Sequence, residues 1–301
     1  MSTFEDPTTA EPASSVPASS RTSALPSEQP INPDDPPWGV LRAVLAWIGS
    51  VLLLWLVPQF CALPYLATRY RSMPAPTKEM LLSDPTFVLI LVAGFIPAHL
   101  LTLLLAWAIA SRFGKLKATR TLGLSWPSTF GPYKSIGLAI ILFLAAMMII
   151  YKFGGQDTEI ERILRSSRAA AIVTAFVAAA TAPLVEEIVY RGILYSALRR
   201  VVGALAAVLI VSSMFAGLHV LQYWPNFGAI SAISLLSLTL TVIRARTGRL
   251  LPCYVIHLVF NSIQSILIVA DPYLHALFQT QQASAPGVVR SLAFVLSWTV
   301  K

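Results

Sequence analysis

Seven apolar runs dominate this chain, each close to the roughly 20 residues that a helix needs to cross a bilayer's hydrocarbon core. They cover about 39–62, 86–110, 134–151, 169–190, 202–221, 227–245 and 250–270. Strands with open edges would leave backbone N–H and C=O groups unsatisfied in lipid, so helices are the state these runs require. The fold class that follows is all-α: a polytopic membrane helix bundle with seven to eight transmembrane helices, occupying residues 38–301. The eighth run, 291–300, is short and spans only if its helix begins near Ser284 or Pro286. Composition agrees, with 12% charged residues against about 25% in an ordinary soluble chain.

Residues 1–37 are of another kind. They hold eight prolines and seven serines and almost no large apolar side chains. Such a stretch buries too little surface to offset its ordering entropy, so it reads as a disordered, Pro/Ser-rich cytoplasmic tail. It lacks the apolar core of a signal peptide, which leaves insertion to the first spanning helix. The net charge of +8 does not point to nucleic acid, because the basic residues sit in short loops, as the positive-inside rule expects. Arg112, Lys115, Lys117, Arg120 and Lys134 follow the second run, Arg199 and Arg200 the fourth, and Arg244, Arg246 and Arg249 the sixth, whereas the LQYWPN turn has none. This alternation puts the N-terminus and those three loops in the cytoplasm. The loop with Arg69, Arg71 and Lys78, and the segment from Lys152 to Arg168, run against the contrast. That segment gathers Ile160, Ile163 and Leu164 on one face, as a helix lying flat in the interface would. Cys61 and Cys253 fit no disulfide framework or CxxC metal motif and read as packing residues.

Ionisable groups inside such runs are costly, roughly 2.5–3.5 kcal/mol each for a charged residue on the insertion scale. This chain nevertheless keeps Glu186, Glu187 and Arg191 in LVEEIVYRGILY, His219 in MFAGLH and His257 in YVIHLVFNS. Glu187 and Arg191 are four apart and share a helical face; Glu186 points about 100° away. The fourth helix should run through Arg199 and Arg200, turn at Val202-Gly203 and return. The midpoint between Glu186 and His219 falls at that turn, so a carboxylate should face an imidazole across a helical hairpin. Phe215 shares a face with His219 and would wall a substrate cavity; His257 and Asn261 share another. Pro183 removes a backbone hydrogen bond one turn before the acidic pair and should bend the helix. His99 and His275 lack such partners and fall outside the site.

A carboxylate desolvated in a bundle is suited to act as a general base towards water. Imidazoles orient that water, stabilise an oxyanion or bind a metal. No Ser or Cys stands in a nucleophile motif. A Zn2+ site made of His219, His257 and Glu186 with an open position is also chemically reasonable, although HExxH is absent.

The order EExxxR (Glu186, Glu187, Arg191), FxxxH (Phe215, His219) and HxxxN (His257, Asn261) resembles the signature of the CAAX prenyl protease and bacteriocin-processing family of intramembrane endopeptidases, over roughly 169–270. That resemblance implies an eight-helix membrane hydrolase. In it Glu186 activates water, Glu187 and Arg191 hold the geometry, His219 and His257 bind the water or a metal, and Asn261 stabilises the oxyanion. The expected partners are the lipid bilayer and a membrane-associated peptide or protein, prenylated in some members, cut near its C-terminus or close to the membrane. A non-catalytic immunity or peptide-binding protein of the same fold is the main alternative, ahead of a transporter that relays protons through the two glutamates. The latter would call for an inverted repeat, which is not apparent. The Pro/Ser tail and the lack of an organellar targeting segment lean towards a bacterial inner membrane.

Overall fold

The computed structural model describes residues 32–72, 75–154, 164 and 167–281, the last stretch without the side chains of 271–272 and 274–281. Every regular element among them is helical. Six runs are long and apolar enough to cross a membrane: Val40–Arg69, Pro85–Ala110, Pro132–Phe153, Arg168–Tyr223, Phe227–Thr247 and Leu251–Ala270. The 56-residue Arg168–Tyr223 run would extend about 84 Å as one straight helix at 1.5 Å per residue, far beyond a hydrocarbon core of about 30 Å. It does not run straight. Gly203 (φ 79°, ψ 168°) breaks it, in a conformation that glycine adopts at little steric penalty. Tyr190, on the arm before the break, packs its ring 5.1 Å from that of Phe215 on the return arm. Residues 25 apart in sequence meet only if the helix doubles back, so this run contributes two crossings. The all-α membrane bundle therefore stands, with seven crossings among the described residues. The 291–300 run and most of the segment expected to lie flat (155–163) fall outside them.

Close approach explains one interruption. The second crossing is broken at Gly94 into Pro85–Ala93 and Phe95–Ala110. A Cβ at Gly94 would stand 2.7 Å from the backbone of Pro58 in the first helix, so only a residue without a side chain permits that contact. Two apolar clusters fill the bundle. One joins Trp38 and the first helix to both arms of the hairpin; the other joins Pro132–Phe153, Phe227–Thr247 and Leu251–Gln281. The acidic pair lies where the two meet. Cys61 is exposed and Cys253 buried, and both are free thiols.

The tail boundary departs from the composition. Residues 1–31 lie outside the described set, but 32–37, counted above with the tail, form a tight turn docked on one end of the bundle. Asp34 pairs with Arg199 and, at 2.7 Å, with Arg244; Asp35 pairs with Arg200 at 2.7 Å. Arg112 donates to the carbonyl of Pro37, and the buried indole N–H of Trp38 donates to that of Ile193. Pro-rich composition argues against a core, but it says nothing of carboxylates that find buried guanidinium partners. These contacts also gather the N-terminal segment, Arg112, Arg199, Arg200 and Arg244 at one end, the grouping that the loop charges imply.

Candidate active site

The local backbone around the acidic pair is unusual. Val177–Thr181 and Glu187–Leu194 are π-helical, and a single short α-helical turn, Ala182–Glu186, separates them. In the first of these segments the N–H of Ala182 bonds the carbonyl of Val177, five residues back. Pro183 follows at the start of the α turn. Its missing N–H is tolerated because the ladder has already opened there. The bend expected at Pro183 is thus realised as a widened turn, a feature frequent at functional sites.

Glu187 and Arg191 form the pair that their spacing implies. Arg191 Nη1 meets Glu187 Oε1 at 2.9 Å, and both side chains are 0% exposed. The rest of the guanidinium is held by the next helix: Nη2 donates to Ser237 Oγ (2.9 Å) and to the Ser237 carbonyl (3.0 Å), and Nε donates to Thr241 Oγ1 (3.2 Å). Phe215 lies under it, its ring 4.6 Å from the guanidinium carbon. Ser237 and Thr241 were not singled out from the sequence. Their signal was there, two hydroxyl residues four apart on one face of an apolar helix, but nothing in one dimension says which arginine they serve.

His257 joins both acids. Its Nδ1 lies 2.9 Å from Glu187 Oε1 and its Nε2 lies 3.6 Å from Glu186 Oε2. The ion-paired Glu187 carboxylate only accepts, so Nδ1 carries a proton and Nε2 is turned towards Glu186. The 3.6 Å separation is too long for a direct hydrogen bond. The second oxygen of Glu187, Oε2, is buried with no partner among the described residues. Of the two acids only Glu186 is accessible, its side chain 21% exposed.

The imidazole that meets the carboxylates is therefore His257, from the last described crossing. The carboxylate–imidazole contact expected across the hairpin, Glu186 with His219, is not made. His219 Nδ1 donates to the carbonyl of Phe215 at 2.9 Å, and its ring stacks between Phe215 (4.5 Å) and Tyr223 (6.5 Å). Equal height along two antiparallel arms does not fix rotation about their axes, and rotation decides which side chains touch. Phe215 is fully buried at the centre, touching Tyr190, Arg191, His219 and His257. It is the floor that these groups share. Asn261 donates its amide to the carbonyl of Ala178 at 2.9 Å.

His99, expected to lack partners, has one outside the set read from the sequence. His99, in the second crossing, is buried, with Nδ1 2.7 Å from Thr181 Oγ1. The Thr181 hydroxyl also lies 3.1 Å from the Val177 carbonyl. The imidazole grips the π-helical segment just ahead of the acidic pair. The His275 side chain lies outside the described residues.

In both imidazoles Nδ1 is anchored, by Glu187 and by the Phe215 carbonyl, the kind of support that metal-ligating histidines receive. The arrangement does not complete a metal site, however. Among the described residues no three His, Cys, Asp or Glu side chains are gathered within ligating reach. His219, His257 and Glu186 as they stand do not fit Zn2+.

Comparison with known proteins finds a similarity over the segment that carries the motifs. The family model described as Rce1-like, type II CAAX prenyl endopeptidase Rce1-like, matches residues 168–263, about a third of the chain and the segment that holds all three motifs. The resemblance read from those motifs is borne out over that segment, and it supports a membrane endopeptidase at family level. No curated protein and no solved structure matches the chain.

Proposed function

We propose that the chain is a multi-pass membrane endopeptidase of the CAAX-protease type that uses Glu186 to activate water. The observation that carries this reading is the imidazole of His257 held between two carboxylates of unequal character. Glu187 is dry and neutralised by Arg191, which suits it to hold His257 in one tautomer. Glu186 is accessible and lies 3.6 Å from Nε2, so that a water seated beside the two can reach both. Water donating to Glu186 and to His257 is polarised from two sides and oriented by groups that buried partners hold in place. Its oxygen attacks the scissile carbonyl carbon while its proton passes to Glu186. The C–N bond then breaks as Glu186 returns that proton to the leaving nitrogen. Roles reverse on one carboxylate, as general acid–base catalysis allows.

His219, flanking the same Phe215 ring, would contact substrate or the developing oxyanion from the hairpin side. The substrate class is a membrane-associated peptide or protein cleaved near its C-terminus or near the membrane, with a prenyl group as one anchor. The charge pattern puts the end with Asp34 and the arginines in the cytoplasm, and a bacterial inner membrane is the setting we favour. No step here runs through a metal. If EDTA abolished cleavage and Zn2+ restored it, a metal would join the site.

The test compares the termini of membrane proteins, by mass spectrometry, in host cells carrying wild type or Glu186→Gln at matched levels. A terminus present only with wild type is the expected result. If both cells show the same termini and the Gln variant keeps the wild-type phenotype, the chain is a binding protein rather than a protease.

A further inference from the structure

The amide of Asn261 is bonded to a backbone carbonyl, and the identity of that carbonyl is informative. At the end of the π-helical segment the Ala182 N–H reaches five residues back, to Val177. The next donor in that register would be residue 183, and its acceptor would be Ala178. Residue 183 is proline and has no N–H. The Ala178 carbonyl is the group stranded by that absence, and Asn261 Nδ2 reaches it at 2.9 Å from a helix 83 positions away in sequence. A carbonyl cannot donate, so the amide's orientation is unambiguous. An unpaired carbonyl at this depth would be expensive.

We infer that Asn261 is a positioning residue, whose side-chain N–H replaces the backbone N–H that Pro183 lacks and so holds the widened turn that aims Glu186. Three further observations support this role. Asn261 lies one turn beyond His257 on the same helix, so a single helix face grips the site helix at the turn and at the acids. His99 grips the same segment through Thr181. The widened turn inserts the equivalent of one residue, and each residue of a helix carries about 100° of rotation. Losing it would swing Glu186 away from His257. As a statement about catalysis this rests on the endopeptidase reading; as a statement about the backbone it does not.

The prediction is reciprocal. In Asn261→Ala the carbonyl is stranded and Glu186 is misaimed. Turnover should fall about 100-fold, the size expected of a displacement near 1 Å, with KM little changed. Pro183→Ala puts the missing N–H back, so Asn261→Ala on that background should recover most of the activity. If Asn261 instead donates to the reacting carbonyl, the double variant stays as impaired as the single one, and the inference fails. It fails too if Asn261→Ala has full activity.

Activity is read as the rate at which Glu186-dependent termini appear. Thermal unfolding of the same four proteins in detergent supplies a readout that does not depend on catalysis. Asn261→Ala should lower the midpoint when Pro183 is present and hardly at all when Pro183→Ala accompanies it. Additive losses would overturn the inference even if no substrate were ever cleaved. A coupled loss without any Glu186-dependent terminus would uphold the backbone contact and remove the protease reading.

Discussion

Arg191 and Arg244 are both fully buried, and the chain pairs them in opposite ways. Arg191 takes its carboxylate from Glu187, four residues away on its own helix, and its remaining donors bond Ser237 and Thr241. Arg244 takes its carboxylate from Asp34, 210 positions away, and donates a second bond to the carbonyl of Pro33. Its Nε has no partner among the described residues. The first pair sits in the middle of the bundle and is dry on both sides. The second sits at one end, and its Asp34 side chain is 22% exposed. The inner pair therefore costs almost nothing in chain entropy to form once the helix exists, whereas the outer one forms only after a long loop has closed. The contrast separates an ion pair that holds His257 from one that ties down a segment. Asp34 also touches Arg199, on the arm that carries the acids, so the docked segment links that arm to the helix that holds Arg191 in place.

The comparison breaks first at Arg191. Arg191→Met leaves Glu187 charged and unpaired in the interior, and should destabilise the fold by about 3–5 kcal/mol, the usual consequence of removing one partner of a buried pair. Little folded protein should survive detergent extraction. Adding Glu187→Met should restore much of it, since two apolar residues leave no stranded charge. A single variant as stable as wild type would mean that the pair is not buried as described.

Asp34→Ala should be milder. It strands Arg244, but at an end where water reaches, so a loss of about 1.5–3 kcal/mol is expected, as for hydrogen bonds to charged groups. The lower unfolding midpoint should come with retained cleavage in the molecules that stay folded. A loss as large as that of Arg191→Met would make the two regions equivalent and remove the contrast.

Asp35→Ala should do least. Asp35 is 70% exposed and its partner Arg200 is 38% exposed, and such surface pairs contribute about 0–1 kcal/mol. Its small effect should shrink further in high salt. A midpoint shift comparable to that of Asp34→Ala would show that the docked segment acts as one unit rather than through a single carboxylate.

Both buried arginines were visible as residues, yet only one pairing was legible. Glu187–Arg191 follows from helical spacing alone. So does the doubling back near Val202-Gly203, because the apolar runs on either side are each long enough for one bilayer crossing. Asp34 was hidden inside a stretch whose composition says tail. His99 looked isolated because its partner, Thr181, is 82 positions away and is uncharged. Glu186 was placed opposite His219 from equal depth along the hairpin, and it meets His257 instead, because depth constrains one coordinate and contact requires three.

Period and polarity, read along one dimension, determined the helical state, the apolar crossings and the buried Glu187–Arg191 pair. These depend on local geometry and on the desolvation of polar groups in lipid, which any apolar surroundings would impose. Only the tertiary structure decided that His257 bridges the two glutamates, that Asn261 serves the carbonyl that Pro183 leaves stranded, and that Asp34 closes over Arg244. Each is a contact between helices, set by how they rotate and slide against one another. Packing across the whole bundle fixes that rotation, and no window of sequence contains it.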